Sequence, residues 1–298
     1  MTAPPASEQR YVTAEVVAQA LLSGLLMGFV YALIAAGLSL IFGLMEIVNF
    51  AHGEFLMLAM FATFWAWALG GLDPVLALPL TTTLLFGVGW IVYRGVISRI
   101  LAAPMLAQIF ATFGLAVFLR SGAQFLWTPD FRLVQNPWIQ GRFALFGLFV
   151  GAPQLAAAMA ALLAFGLLYG FVTRTETGLA LQATAQDRQA AALMGIDTER
   201  MFALGWGLGA ACVGAAGALL ANFFYVFPDV GSVFALLAYV TVALGGFGNV
   251  AATLLGGVLI GLVENLVGLW APAFKYVGVF CFYLLVVLWR PQGLFGRY

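Results

Sequence analysis

From Val16 to Leu44 the chain runs without one charged residue, over more positions than the ~20 that a membrane-crossing helix needs. Inside lipid such a run can satisfy its own backbone polar groups only as a helix. Comparable apolar runs cover about Glu54–Leu69, Val75–Tyr93, Met105–Trp127, Phe143–Val172, Met201–Asn222, Val233–Leu244, Val250–Trp270 and Tyr276–Trp289. Together they predict an all-α, polytopic integral membrane helix bundle of about eight to ten transmembrane segments. Whether Val16–Leu44 crosses once or folds back stays open at this level.

Composition agrees. Hydrophobic residues make up 64% of the chain and charged residues 8%, against the roughly 25% charged of a soluble protein. Net charge is zero, so there is no basic field for nucleic acid. Cys212 and Cys281 sit inside apolar runs and read as small core residues. No secretory signal peptide is evident at the polar start, Met1–Arg10.

Small residues recur every fourth position in Gly24-Gly28-Ala32-Ala36, in Ala210-Gly214-Ala218 and in Gly257-Gly261. Such stripes let helix backbones approach closely, within the chain or with a second subunit. The apolar pattern is interrupted at Ile47–Leu58, where Asn49, His52, Gly53 and Glu54 fall between two spans. Polar groups there are costly unless buried in protein or lining a watery path. Two readings follow: a hydrogen-bonded knot that holds a helix break, or a lining of a transport pathway. Leu40–Met57 and Leu244–Gly261 each join an apolar run to a Gly-rich break with an asparagine (Asn49, Asn249), which would suit an inverted repeat.

Glu54, Arg120 and Glu264 are charges in or near apolar segments. Such charges tend to pair, and an Arg120–Glu264 pair is the expectation. The longest polar stretch, Thr173–Arg200, contains Leu179–Met194, which has no Gly or Pro and should be helical. Gly195 suits the left-handed stop, and Asp197 or Thr198 the cap of the next helix. Arg174, Arg188, Arg200, Arg290 and Arg297 place this loop and the C-terminus in the cytoplasm, with Arg94 and Arg99 on the same side and Arg132, Arg142 and Lys275 opposite.

No phosphate-binding loop exists, since the only lysine, Lys275, precedes a tyrosine. One histidine cannot form a multi-histidine metal site. Neither catalysis nor an internal ATP motor is expected.

Val48-Asn49-Phe50-Ala51-His52-Gly53-Glu54-Phe55 resembles the signature of the branched-chain amino acid ABC-importer permeases of the LivH type. Ala190-Ala191 followed by Gly195 is similar to the loop by which such permeases engage their ATPases, and the run from Gly178 through Gly195 to Gly217 continues the likeness. Ala111–Leu115, Leu244–Asn249 and Arg290–Gly296 are further matches. The resemblance implies one transmembrane permease domain over residues 1–298, with residues 173–200 as a cytoplasmic coupling loop, in a bacterial inner membrane. It also implies the partners: a second related permease, two ATP-binding cassette subunits that bind ATP and magnesium, and a periplasmic or lipid-anchored substrate-binding protein. No cofactor is expected in this chain itself. Leucine, isoleucine and valine are the implied cargo. Urea or short-chain amides within the same family, a stand-alone ion-coupled carrier and a non-transporting membrane scaffold remain the alternatives.

Overall fold

The computed structural model describes residues 13–145 and 147–294. The polar start Met1–Arg10, Arg297 and the last two residues of the Arg290–Gly296 match lie outside them. The helices are α1 (Ala14–Met45), α2 (His52–Gly70), α3 (Pro74–Ile100), α4 (Met105–Trp127), α5 (Ala152–Arg174), α6 (Glu176–Gln186), α7 (Arg188–Leu193), α8 (Thr198–Leu220), α9 (Val230–Gly245), α10 (Val250–Trp270) and α11 (Lys275–Trp289). Among the described residues, eight helices are long and apolar enough to cross a membrane, and α9 is a shorter apolar one. The expected all-α membrane bundle is what the chain forms.

The fold is built around α1. This helix is continuous from a Thr13 cap to Glu46, whose φ of 54° ends it in the left-handed region. It therefore crosses once. The small-residue stripe explains its central position: a Cβ on Gly24 would lie 2.6 Å from the Gly261 carbonyl oxygen, and one on Gly28 2.7 Å from Val258 Cα. The stripes of α1 and α10 thus meet each other, within this chain. Ala210 and Gly214 of α8 pack in the same way on α3, at Gly89 and Leu85. Trp206, Phe55 and Phe61 fill the space between these backbones and are fully buried.

The elements sort into two ends. At one, Tyr93 of α3 donates to Glu199 of α8 at 2.8 Å, and Leu294 N–H donates to the Leu244 carbonyl at 2.7 Å. This end carries α6 and α7 and the basic residues Arg94, Arg99, Arg174, Arg188, Arg200 and Arg290. At the other, Gln19 exchanges two hydrogen bonds with the backbone of Phe149, and Asp73 accepts from Trp138 N–H at 2.6 Å. Arg132, Arg142 and Lys275 lie here, and the grouping matches the division expected from basic residues.

One expectation is corrected here. The span beginning at Phe143 does not exist as such: β1 (Arg142–Leu145) and β2 (Leu148–Gly151) form an antiparallel hairpin, and α5 starts at Ala152. Gly147, at φ 82°, makes the turn, and Pro153 in the first turn of α5 starts the helix where a proline costs no hydrogen bond. Leu179–Met194 is helical as expected, in two pieces divided at Asp187. The Asp187 carboxylate accepts from Gln189 and Ala190 N–H at 2.8 and 2.9 Å, restarting the helix.

Candidate functional site

The break between α1 and α2 turns back into the bundle. His52, at the start of α2, donates from Nε2 to the Ile34 carbonyl oxygen at 2.9 Å. Ile34 lies roughly 16 Å before the end of α1, at ~1.5 Å per residue. The segment 46–51 therefore returns toward the middle of the bundle, and α2 begins there. A carbonyl only accepts, so Nε2 carries the proton, and Nδ1 is buried without a partner among the described residues.

Side chains from two other helices satisfy the freed backbone of the break. Thr112 of α4 donates to the Val48 carbonyl at 3.2 Å, and Tyr239 of α9 donates to the Asn49 carbonyl at 2.6 Å. Asn49 Oδ1 accepts from Ala51 N–H at 3.1 Å. Asn49 and His52 are wholly buried. Irregular backbone at membrane depth is tolerated under these conditions.

The first turns of α2 and α9 meet at Gly53 and Gly231. A Cβ on either would overlap the other's carbonyl oxygen, so both positions require glycine for the approach. This contact brings Glu54 of α2 near Asp229, the residue that precedes α9. Arg120 of α4 completes the group: its Nε donates to Glu54 Oε1 at 2.9 Å, its Nη2 reaches the same oxygen, and Asp229 Oδ1 stands 3.8 Å from Nε. The Glu54 side chain is 2% exposed, that of Arg120 35% and that of Asp229 55%.

That gradient decides what the cluster faces. A charged side chain at the centre of a hydrocarbon layer costs on the order of 2.5–3.5 kcal/mol or more. On the same helices, within about two turns of Arg120 or one of Asp229, Phe113, Val117 and Val233 are exposed apolar side chains. This face suits water or another polypeptide, not lipid.

The expected Arg120–Glu264 pair does not form. Glu264 is buried on α10, where it accepts from Tyr31 Oη at 2.6 Å and from Lys275 Nζ at 2.7 Å. The two residues serve different seams, one between α2, α4 and α9, the other between α1, α10 and α11.

The coupling candidates gather at the other site. Gly178 packs so closely on the carbonyls of Phe171 and Val172 that a Cβ would overlap them. Ala191 is buried, Ala190 is exposed, and Gly195 has φ 84°, the left-handed stop. Arg188 of α7 is paired with Glu199 at 2.7 Å and lies over the Phe202 ring. Between these fixed points Leu193 and Met194 stand 87% and 83% exposed. The two exposed apolar side chains are adjacent, at the end of a capped and tethered helix. Leu193, Met194, Asp229 and Tyr239 are not singled out by sequence reasoning. The signal for Asp229 is a carboxylate directly before an apolar helix; the signal for Leu193 and Met194 is an apolar pair just before the glycine stop.

Fold and site together define a polytopic membrane permease, with a polar break inside its bundle and an exposed apolar pair at one end. The family described as "Branched-chain amino acid transport system / permease component" matches residues 20–289. The chain belongs to that family. It is 30% identical over 302 residues to the high-affinity branched-chain amino acid transport system permease protein LivH of Salmonella typhimurium, covering 94% of this chain and 95% of the relative. LivH of Escherichia coli K12 is 28% identical over 299 residues, and BraD of Pseudomonas aeruginosa is 30% identical over 297, each with the same coverage. No solved structure matches the chain.

Proposed function

We infer that this chain is the membrane-spanning subunit of an ATP-driven importer of leucine, isoleucine and valine. Membership of the permease family and the names of its relatives as branched-chain amino acid permeases support this cargo and class. The observation that carries the ATP-driven part is the knob Leu193–Met194, exposed on a helix pair that is otherwise held rigidly.

Basic residues concentrate on cytoplasmic sides, so α6, α7 and the C-terminal end face the cytoplasm of a bacterial inner membrane. Two ATP-binding cassette subunits, holding ATP and magnesium, take the knob of α7 there. A second related permease completes the channel, and a periplasmic or lipid-anchored binding protein delivers cargo at the hairpin end. The chain itself carries no cofactor. Leu181 and Gln182 of α6 line a small cavity with Ser39, Leu40, Gly43 and Leu44 of α1. A push on α7 is thus delivered to the last turns of α1, which lead into the break at 46–51. Closure of the cassettes shifts the break between outward- and inward-facing arrangements.

The test is purification of the tagged chain from native membranes in mild detergent, with mass spectrometry of co-eluting chains and leucine uptake after reconstitution. Two cassette polypeptides, a second permease and ATP-dependent uptake are expected. A chain that elutes alone and transports without ATP would overturn the reading.

A further inference from the structure

The charged cluster is built with capacity left over. Asp229 occupies the N-cap position of α9, where a carboxylate ordinarily accepts from the helix's first N–H groups. It makes no such bond. The carboxylate is turned instead toward Arg120, at 3.8 Å and outside hydrogen-bond range, and stays 55% exposed. Arg120 has five N–H donors. Its Nε and Nη2 hold Glu54, and Nη1 makes no hydrogen bond among the described residues. Asp229, paired with Arg120 only at salt-bridge distance, and the unbonded Nη1 edge of Arg120 therefore stand side by side, on a face that suits water or another polypeptide. The buried Glu54 locks the guanidinium in place from behind.

Aromatic pairs stand on the segments that lead to this cluster. Phe50, at the tip of the break, packs on Tyr239 with ring centroids 5.7 Å apart and is 37% exposed. Toward the hairpin end, Phe131 and Phe227 pack at 4.6 Å beside the exposed Tyr225. Adjacent opposite charges with an apolar border match an amino acid: an α-ammonium, an α-carboxylate and a hydrocarbon side chain. A neutral amide or urea can donate N–H to the carboxylate but brings no charge to either partner.

We propose that Asp229 and Arg120 form a zwitterion subsite on the translocation path, Asp229 taking the α-ammonium and the free Nη1 edge of Arg120 the α-carboxylate of the cargo. This rests on the reading of the chain as an amino acid permease. Glu54 is a positioning residue that acts through Arg120, and Asn49 and His52 hold the break without touching cargo. The site is a weak one by construction, since both partners stay half in water.

The experiment uses the complete importer in lipid nanodiscs, without binding protein. Saturation-transfer NMR is recorded with 2-amino-4-methylpentanoate (leucine) and with its α-hydroxy isostere, at millimolar concentration. The wild type is expected to bind leucine at least several-fold better than the isostere. Asp229→Asn should lower leucine to the level of the isostere and leave the isostere unchanged, while Asp229→Glu retains the preference. Equal or absent signals in a wild type that imports leucine would overturn the proposal. So would an Asp229→Asn importer that keeps the preference, one that loses both ligands alike, or one that no longer assembles with its partner permease. A wild-type importer that moves no leucine even with its binding protein would instead refute the cargo reading beneath it.

Discussion

Glu54 and Arg120, 66 positions apart in the chain, share a hydrogen-bonded ion pair in which the carboxylate is almost wholly buried and the guanidinium is not. The asymmetry predicts unequal costs. Arg120→Gln strands a buried carboxylate, which typically costs about 3–5 kcal/mol. Glu54→Gln leaves a half-exposed arginine with Asp229 still 3.8 Å away, and should cost clearly less. Thermal unfolding of the purified complex measures both, and equal losses would show that burial does not set the balance.

A second prediction concerns the α1–α10 seam. Gly28 and Gly257 meet backbone within 3 Å of where a Cβ would stand. Gly257→Val must therefore push two helix backbones apart, and overpacking of this kind costs about 1–3 kcal/mol or more. Gly114 and Gly122 of α4 have nothing within 4 Å of that position. Gly114→Ala should leave stability unchanged or raise it by up to about 1 kcal/mol through helix propensity. Melting curves in one detergent distinguish the two classes, and a harmless Gly257→Val would refute the close packing.

Asp187 supplies a third. Its carboxylate caps α7 through Gln189 and Ala190 N–H, and losing such a cap costs about 1 kcal/mol. Local opening of α7 should then be roughly fivefold more frequent in Asp187→Ala, by that same ~1 kcal/mol. Hydrogen exchange over residues 188–194 of the assembled complex reads this directly. Unchanged exchange would place the helix restart elsewhere.

How far the sequence reaches depends on what kind of interaction decides each feature. Met105–Trp127 and Val250–Trp270 are legible to the residue, because Pro104, Thr128-Pro129 and Asn249 punctuate largely apolar runs. The split at Asp187 is hidden among good helix formers, where a single capping side chain outweighs the propensity of its neighbours. The partners of Arg120 and Glu264 are not legible at all. Pairing depends on how α2, α4 and α9 converge, and the Gly53–Gly231 contact that brings Asp229 to Arg120 joins positions far apart in the chain. The small-residue stripes are readable as close-approach surfaces, but only the fold shows that they meet within the chain.

The last prediction isolates the docking knob. Leu193 and Met194 are nearly fully exposed, and surface substitutions at such positions usually shift stability by no more than about 0.5 kcal/mol. Leu193→Asp should therefore insert and melt like the wild type, yet fail to retain the cassette subunits through purification, because a charge would be forced into an apolar cleft. Gly195→Pro attacks the same element differently: proline holds φ near −65°, whereas Gly195 sits at 84°. It should misdirect the knob and abolish ATP-driven uptake while the chain remains inserted. Bulky side chains at Ala191, which is 4% exposed, should do likewise by lifting α7 off its seat. Co-purification separates the cases, since Leu193→Asp loses the contact itself and Gly195→Pro loses its orientation. Normal ATP-driven uptake in both would remove α7 from the coupling path.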